Sequence, residues 1–288
     1  MKHTPHTAIP LADDVALHVT RNAPSIELTS PYQHIAVDAT PRFGRLYTLD
    51  GDAMASEQDE FIIHESLAHL AALSHPAPAR AIVLGGGDGG STRELLKHPS
   101  VAHVTIAELD PGVVDTIARH FPTLPAGAFG DPRVSVRYGD AAATLAAYHA
   151  AGARFDLILF DLTQSEHPAC AHLHSENFLR ICAASLTPQG IVHVQLGSPF
   201  YQRQQVATVF RRLKDVFASV TPALIDIPLY GGPWLLARAT RALAPEPDLA
   251  TLAQRLADRH IARLRYYNPA LHLACSALPN YVLDSLAS

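Results

Sequence analysis

Four acidic residues stand at or just beyond the ends of four successive apolar segments of the chain: Asp88, Glu108, Asp140 and Asp161. Short apolar runs bounded by turn residues are typical of buried strands. Ligands of open α/β sheets bind beyond the carboxyl ends of the strands, so we expect the four carboxylates to share one site. A single acid in such a place could merely cap a helix, but four in series favour a binding site.

Asp88 interrupts a run of glycines, Gly85–Gly90, that follows the apolar strand Ile82–Leu84. Glycines at this point let the backbone approach a cofactor, and residues Ser91–Lys97 are predicted to form a helix with Ser91 as its cap. Loops of this kind usually receive an anion at the helix N-terminus. Asp88 would repel a phosphate or carboxylate and attract an ammonium or sulfonium group. The loop therefore predicts a cationic ligand.

Glu108 ends the apolar segment Val104–Glu108. It follows the glycine run by about 20 residues, where dinucleotide- and adenosyl-binding folds place a carboxylate that binds ribose. We therefore expect Glu108 to accept hydrogen bonds from two ribose hydroxyls. The next two strands are predicted at Val134–Tyr138 and Phe155–Phe160.

The rest of the chain is predicted to position these residues. A helix is expected from about residue 57 to 73, because apolar residues recur there at helical spacing: Phe61, Ile62, Leu67, Leu70 and Leu73. Its His64 and Glu65 should lie near the glycine run. Later elements are predicted as helices over 175–185 and 201–217, strands over 191–195, 223–227 and 234–237, and a C-terminal helical segment after a break at Arg241–Pro247.

The N-terminal part has a different pattern. Residues 1 to about 25, rich in His and Pro, are predicted to be a poorly specified arm. Residues 34–38 and 45–49 have β-type patterning and are separated by Pro41 and Gly44, which predicts antiparallel strands in a small β domain. We expect an N-terminal arm and β domain over residues 1–56 and a Rossmann-like catalytic domain over residues 57–288.

Bulk properties limit the class of protein. The chain has 288 residues, 48% of them hydrophobic, which is enough for a full core. No apolar run approaches the ~20 residues of a membrane span, and the first residues lack the apolar core of a signal peptide, so we expect a cytoplasmic protein that does not bind membranes. The net charge of −5, without a basic run, argues against nucleic acid as a partner. Three cysteines without ligand spacing predict reduced thiols.

These residues belong to a longer series of motifs. The chain resembles the polyamine aminopropyltransferases, the spermidine synthase family, over about residues 30 to 288. The family pattern appears as Gly85–Gly90, Glu108-Leu109-Asp110, Asp131-Pro132-Arg133-Val134, Gly139-Asp140 and Asp161, with Ser30-Pro31-Tyr32-Gln33 and Asp59–Glu65 upstream and Tyr230–Trp234 and Tyr266–Pro269 downstream. The resemblance implies an α/β fold with a seven-stranded, Rossmann-like sheet of the methyltransferase type.

The resemblance also implies the chemistry. An amine would attack the carbon next to the sulfonium of decarboxylated S-adenosylmethionine, a co-substrate, and release methylthioadenosine; no other cofactor is implied. Asp161 would be the base and Asp88 would hold the aminopropyl ammonium. The implied co-substrate contacts are Glu108 at the ribose, Asp140 at the adenine amino group, and Gln33 and His64 elsewhere. The partner would be a small-molecule amine, and the chain would form a dimer or tetramer of identical subunits.

Three departures from the family pattern concern the acceptor amine. Gln164 stands where the family has a second aspartate, Ile63 where it has a tyrosine, and Met54 where it has a glutamine. Losing an anion, a phenol and an amide predicts that putrescine is a poor acceptor. Gln164, Tyr230 and Trp234 are candidate acceptor-binding residues. The two aromatic residues could line an amine channel through cation–π contact or simply pack the core.

Alternatives remain open at this point. A thermospermine- or spermine-type synthase would use a longer acceptor, and Leu162 favours that branch. A methyltransferase would share the fold and use intact S-adenosylmethionine, although Asp88 would repel the carboxylate of that cofactor. An inactive polyamine- or nucleoside-binding relative is the third, and Gln164 is its best support.

A histidine- and cysteine-rich segment also needs an interpretation. His167, Cys170, His172 and His174 lie close together in the sequence, but their spacing matches no standard metal site. We therefore expect a solvated loop and no metal centre.

Overall fold

The structure is a computed structural model that describes residues 5–162, 170–243 and 245–287. Its strands are β1 (His6–Ala12), β2 (Val15–Thr20), β3 (Ile26–Thr29), β4 (His34–Thr40), β5 (Gly44–Leu49), β6 (Asp52–Ser56), β7 (Arg80–Gly85), β8 (His103–Glu108), β9 (Val134–Tyr138), β10 (Phe155–Asp161), β11 (Leu186–Gly197), β12 (Ser219–Ile227) and β13 (Gly232–Thr240). Its α-helices are α1 (Glu60–Ser74), α2 (Gly90–Leu96), α3 (Pro111–His120), α4 (Ala141–Ala150), α5 (Glu176–Ser185), α6 (Arg203–Val216), α7 (Leu249–Asp258), α8 (Pro269–Ala274) and α9 (Asn280–Ala287).

A seven-stranded sheet runs through the larger part of the molecule in the order β12-β13-β11-β10-β7-β8-β9. Strands β11, β10, β7, β8 and β9 are parallel, and β13 is antiparallel to both of its neighbours. The strand order reverses between β7 and β10, where Gly85 is paired with Asp161. Open α/β sheets bind ligands at such a switch point. The predicted α/β class and seven-stranded sheet are confirmed.

Both faces of this sheet are covered by helices. Parallel strands of this kind are buried on both sides, so their alternate residues enter two different cores. Leu84 and Phe160 pack in a core that includes residues of α4, α5, α6 and α9. Val83 and Leu159 pack on the other side against α1 and α2. The covered sheet fixes the ends of β7 and β10, which carry the glycine run and Asp161.

Helix α1 is buried on nearly all sides, whereas the sequence predicted a single apolar face. It begins at Glu60 rather than near residue 57, and Phe61 of the predicted face is only half-buried. Glu65 was expected near the glycine run but instead accepts hydrogen bonds from the backbone N–H groups of residues 265, 266 and 267. Buried polar side chains require such partners. His64 is the polar residue of α1 that lines a cavity at the carboxyl ends of β7 and β10.

The predicted N-terminal arm is wrong in part, because its described residues form an antiparallel hairpin, β1–β2. Ile9 and Val19 are buried in a small core with Leu46 and Leu229. Contacts with distant residues thus order two strands whose own sequence gives little indication of strand structure. The antiparallel strands predicted after residue 25 are confirmed in the four-stranded sheet β3-β4-β5-β6.

Helix α2 does not begin at a serine cap. Gly89 is its N-cap residue with φ 76°, and the helix starts at Gly90. Asp88 Oδ1 accepts a hydrogen bond from the Gly90 N–H at 2.8 Å, so the loop carboxylate satisfies a donor at the helix start. The predicted C-terminal helical segment is present as α7, α8 and α9. Within the described ranges, none of the helices is both long enough and apolar enough to cross a bilayer.

Candidate active site

A cavity lies at the carboxyl ends of β7 and β10, and residues of β1 and β5 also line it. It brings together eight of the nine site residues that the sequence predicted: Gln33, His64, Asp88, Glu108, Asp140, Asp161, Tyr230 and Trp234. The ninth, Gln164, lies outside the described residues. Ile9 and Leu11 of the hairpin, and Tyr47 of β5, line the cavity without having been singled out from the sequence.

Asp88 is a buried carboxylate with a protein donor at each oxygen. Its Oδ2 accepts from the Tyr47 hydroxyl at 3.0 Å, and His64 Nε2 lies 3.3 Å from the same oxygen. Burial alone would raise the pKa of Asp88, but the charge of His64 and these hydrogen bonds hold it below its ordinary value. Asp88 therefore carries a negative charge at the wall of the cavity, as the sequence predicted for a site that attracts a cation.

His64 lies between two carboxylates. Its Nδ1 is 2.6 Å from Glu60 Oε2, and its Nε2 faces Asp88. Burial would lower the pKa of His64, but the charge of Asp88 and the hydrogen bonds with Asp88 and Glu60 raise it well above its ordinary value, so the ring is a cation. The close fit depends on Gly90, where a Cβ would lie 2.3 Å from Nδ1.

The pairing continues away from the cavity as a row of alternating charges. Arg93 donates to both oxygens of Glu60, at 3.1 and 2.9 Å, and its Nε donates to Glu94 at 2.8 Å. The charge row therefore consists of Asp88, His64, Glu60, Arg93 and Glu94, and it joins the glycine-rich loop to α1 and α2. His64, Glu60 and Arg93 each pair with two oppositely charged neighbours in the row, so removing one partner leaves each of them with another.

His64, Asp88 and Asp161 form one candidate metal group, because one atom from each lies within 4.8 Å of the others; it is the sole group of this kind in the ranges that the structure covers. A histidine that binds a metal needs a ring nitrogen with a free lone pair. Both ring nitrogens of His64 instead face carboxylates, and the ring is protonated. The two carboxylates of the group can attract a cation, whereas His64, which lies against a carboxylate at each ring nitrogen, has no lone pair free for a metal ion.

Asp161 ends β10 with one oxygen held and one oxygen unpaired. Gln195 Nε2 donates to Oδ1 at 3.2 Å, whereas Oδ2 is buried and has no hydrogen-bond partner among the described residues. Burial and, second, the charge of Asp88 raise the pKa of Asp161 to about 6, while the charge of His64 and the nearby Ser91 hydroxyl oppose the shift. An unpaired buried acceptor costs free energy unless a ligand donates to it.

Gln195 orients Asp161 and was missed in the sequence. Its amide bridges two site residues, since Oε1 accepts from the Trp234 indole N–H at 3.2 Å while Nε2 donates to Asp161. Trp234 therefore fixes which end of the amide faces the carboxylate. Gln195 is the polar residue at the end of the predicted strand 191–195. The rule that identified the acids, a polar side chain at the end of an apolar strand, applies to it as well. Tyr47, inside the predicted strand 45–49, carried no comparable signal.

The two aromatic candidates line the cavity as a pair. The ring centroids of Tyr230 and Trp234 are 4.7 Å apart, at an interplanar angle of 56°. The Tyr230 hydroxyl donates to the Met54 carbonyl at 2.5 Å, which leaves the ring as the part that can contact a ligand. Ile63, by contrast, is buried in the core on α1 and does not line the cavity.

Glu108 lies at the other end of the cavity, beside the glycine run. Its Oε2 accepts from the Gly87 N–H at 3.0 Å and its Oε1 from the Asp110 N–H at 2.9 Å. A Cβ at residue 87 would lie 2.6 Å from Oε2, so the close approach requires glycine. Burial raises the pKa of Glu108 to about 7, against the two backbone hydrogen bonds. The side chain is thus held in a fixed position from which it can accept from hydroxyl groups.

Asp140 and Gln33 are the remaining predicted contacts. Asp140 caps α4 by accepting from the Ala143 N–H at 2.7 Å, and His172 Nε2 lies 2.8 Å from its second oxygen. Gln33 Nε2 donates to Asp110 Oδ2 at 2.9 Å. Asp140 therefore has both of the roles that an acid at the end of a strand could have. It caps a helix, which is the simpler role, and it lies at the cavity wall.

Comparison with known proteins identifies the family. A model described as the spermine/spermidine synthase domain matches residues 60–242. The polyamine aminopropyltransferase of Nitrosomonas europaea is 38% identical over 279 residues, which cover 96% of this chain and 85% of that protein. The chain belongs to the spermine/spermidine synthase family. Polyamine aminopropyltransferase 1 of Pseudomonas aeruginosa is also 38% identical, over 262 residues and 90% of each chain.

Solved structures of the family agree with this result. A spermidine synthase crystallised with the transition-state analogue AdoDATO has a TM-score of 0.90 and 29% identity, and covers 100% of this chain and 96% of its own. The spermidine synthase of Thermotoga maritima has a TM-score of 0.87 and 28% identity, and covers 100% of this chain and 95% of its own. The predicted methyltransferase-type fold and aminopropyltransferase activity, with decarboxylated S-adenosylmethionine as co-substrate, are confirmed. The chain is thus an aminopropyltransferase of this family rather than a methyltransferase or an inactive binding protein.

Proposed function

We propose that Asp161 is the general base of the aminopropyl transfer and that the acceptor amine donates to its Oδ2. The observation that carries this proposal is the buried Oδ2 that lacks a protein partner among the described residues. The acceptor ammonium would give one proton to Asp161, and its nitrogen lone pair would then attack the carbon next to the sulfonium. The new C–N bond forms as the C–S bond breaks, and the electron pair leaves with the sulfur of methylthioadenosine.

The raised pKa of Asp161 makes it a better base for this step than an ordinary aspartate. A primary ammonium has a pKa of about 10, so proton transfer to a carboxylate is uphill. A pKa of about 6 reduces the difference compared with the ordinary value of 3.8. Gln195 holds the carboxylate in one orientation, which supports in-line placement of the amine.

The other residue roles are part of the same proposal. Asp88 would bind the aminopropyl ammonium. Before that ligand binds, the positive charge of His64 balances the negative charge of Asp88. Glu108 would accept from the ribose hydroxyls. Asp140 would bind the adenine amino group, and Gln33 would contact the co-substrate through its amide. These roles agree with the order of the carboxylates along the cavity, from Asp161 and Asp88 to Glu108 and Asp140.

The acceptor is proposed to be an amine longer than putrescine, of the kind used by a thermospermine- or spermine-type synthase. The described carboxylates that line the cavity are Asp88, Glu108, Asp140 and Asp161, and the roles above leave only Asp161 for the acceptor. Met54 lines the cavity where the family has a glutamine, Leu162 adds a second apolar side chain, and Tyr230 and Trp234 offer ring faces. Rings can bind alkylammonium groups by cation–π contact. Gln164, the third predicted contact, is outside the described residues.

A panel of amines tests both the activity and the acceptor. With decarboxylated S-adenosylmethionine, release of methylthioadenosine should have a higher kcat/KM for spermidine than for putrescine. The variant Met54→Gln should lower the KM for putrescine, since an added hydrogen bond to a charged group contributes about 1.5–3 kcal/mol. The KM for spermidine should change less. If the parent enzyme has its highest kcat/KM with putrescine, the acceptor proposal is wrong even though the transfer activity stands.

The activity should fall on the acid side of pH 6. Asp161 accepts a proton only when it is ionised, and with a pKa of about 6 it is ionised to about nine-tenths at pH 7 and about one-tenth at pH 5. The acid limb of log kcat/KM against pH should therefore bend near 6. In His64→Gln the limb should move to higher pH, because the cation that lowers the Asp161 pKa is removed. If the acid limb of His64→Gln lies at the same pH as that of the parent, the group that titrates in this limb is not Asp161.

The setting of the enzyme is also proposed rather than observed. Three buried cysteines that form no disulfide with one another support a reducing compartment such as the cytoplasm, which cell fractionation would check. Strand β3 is an exposed edge of the four-stranded sheet, where Ile26 is 51% and Leu28 is 46% exposed. This edge supports a homo-oligomer paired through β3, which sedimentation velocity would test.

The division into residues 1–56 and 57–288 remains a proposal, as does the absence of nucleic-acid and membrane partners.

A further inference from the structure

A second cavity lies at the opposite edge of the seven-stranded sheet from the active site. It is bordered by the end of α1 at Ser74, the start of β12 at Ser219 and the end of β13 at Thr240. Its volume is about 390 Å³, far above the roughly 10–15 Å³ that a cavity needs to hold one water. His64 and Ser74 are ten residues apart on α1, so the helix separates the two sites by about 15 Å.

Arg238 is the buried charge of this cavity. It is 3% exposed, its Nη1 donates to the Leu70 carbonyl at 3.0 Å, and its Nη2 donates to Glu246 Oε2 at 3.0 Å. Its Nε is buried and has no partner among the described residues. His272 Nε2, 2.5 Å from Nη1, adds no charge, since burial first and Arg238 second lower the pKa of His272 to about 2. The guanidinium thus keeps unused donor capacity beside the cavity.

The remaining charges of the cavity favour an anion. Arg255 is a second guanidinium in its lining, anchored by Nη1 to the carbonyls of Leu73 and Ser74 at 2.6 and 2.9 Å. Glu246 is the one acid among the described lining residues, so two cations face a single carboxylate. That imbalance would repel an amine and attract an oxyanion.

Glu246 is a carboxylate of the chain itself that two side-chain donors bind in the cavity. Its carboxylate accepts from Arg238 and, at 2.8 Å, from the Thr221 hydroxyl, which is the donor set expected for a bound oxyanion. The side chain is 40% exposed and comes from the segment after β13, between Pro245 and Pro247. A half-exposed carboxylate can be exchanged for an outside one at small cost, because both partners of the exchange are in contact with water.

We propose that this cavity is a binding site for a small oxyanion, a phosphate or carboxylate group, which displaces Glu246 and pairs with Arg238, Arg255 and Thr221. Guanidinium groups suit such ligands because they present several parallel N–H donors. The site is separate from the aminopropyl transfer site and does not depend on the roles proposed there.

Calorimetric titration of the full chain with inorganic phosphate, and separately with acetate, tests the proposal at an ionic strength kept constant with chloride. We expect saturable binding of at least one of the two, which also tells a phosphate site from a carboxylate site. Glu246→Gln keeps the shape of the side chain and removes the competing charge, so it should bind about tenfold tighter or more. Saturating methylthioadenosine should leave the affinity unchanged, because it occupies the other site.

Two variants and one control locate the anion. Arg238→Met should abolish binding. Thr221→Val is a milder change and should weaken binding, and it keeps the test valid if Arg238→Met does not fold. Arg241→Met removes an exposed cation outside the cavity and should bind as the parent does. No saturable binding in either the parent or Glu246→Gln would overturn the proposal and make Glu246 a structural latch. Binding that Thr221→Val leaves unchanged, or that methylthioadenosine abolishes, would overturn it as well.

Discussion

Replacing Asp161 by asparagine is expected to lower kcat by a factor of about 10²–10⁴, the usual contribution of a general base. The side-chain oxygen of the asparagine could still accept from Gln195, but an amide N–H₂ would replace the unpaired Oδ2 and could not take the proton of the acceptor. Methylthioadenosine should bind with nearly the same affinity, since Glu108 and Asp140 are untouched. Steady-state kinetics and calorimetry with methylthioadenosine measure the two quantities.

Asp156→Asn is a matched control on the same strand. Asp156 also lies on β10, but it accepts from the Ala79 and Arg80 N–H groups and the Thr187 hydroxyl at the other end of the strand. The control should change thermal stability and leave kcat close to that of the parent. If Asp161→Asn turned over at a comparable rate to the parent, Asp161 would have no part in proton transfer.

Replacing Asp88 by asparagine should remove most of the preference for the decarboxylated co-substrate. Asp88 is the ionised carboxylate of the glycine-rich loop, and an ammonium bound to it gains a charge-assisted hydrogen bond of about 1.5–3 kcal/mol. Losing that bond weakens binding by about one to two decades. Intact S-adenosylmethionine should lose less affinity, or gain some, because its own carboxylate is no longer repelled.

The ratio of the two dissociation constants is the informative quantity. The parent should bind decarboxylated S-adenosylmethionine more tightly than the intact compound, and Asp88→Asn should bring the two values together. Tyr47→Phe removes one donor to Asp88 without changing its charge and should preserve the preference. Equal affinities in the parent would show that Asp88 does not recognise the ammonium.

The strands and their terminal acids could be predicted from the sequence because a covered parallel sheet needs continuous apolar segments. Ile82–Leu84 and Phe155–Phe160 have no other stable environment, and a carboxylate directly after them must lie at the sheet edge. That argument locates Asp88, Glu108, Asp140 and Asp161 without any knowledge of their partners. It also predicts one shared cavity, which the structure contains.

Other parts of the site depend on contacts between distant segments, and the sequence carries little sign of them. Ile9 and Val19 are the buried residues of the hairpin strands β1 and β2, and Ile9 is buried because Leu46 and Leu229 lie against it. Serine is a common cap, so the sequence favours Ser91 as the cap of α2, but a glycine with positive φ and the Asp88 carboxylate take that role. Gln195 acquires its role from Trp234, 39 positions later in the chain.

The charge row has a consequence for protein design. Asp88 remains ionised in a buried position because His64 lies against it, and His64 is in turn held by Glu60, which Arg93 holds from α2. A glycine-rich loop transplanted into another α/β scaffold would bring Asp88 without these supports, and an isolated buried aspartate would take up a proton and lose its attraction for cations. The smallest portable unit is therefore the loop together with one turn of α1 and all of α2.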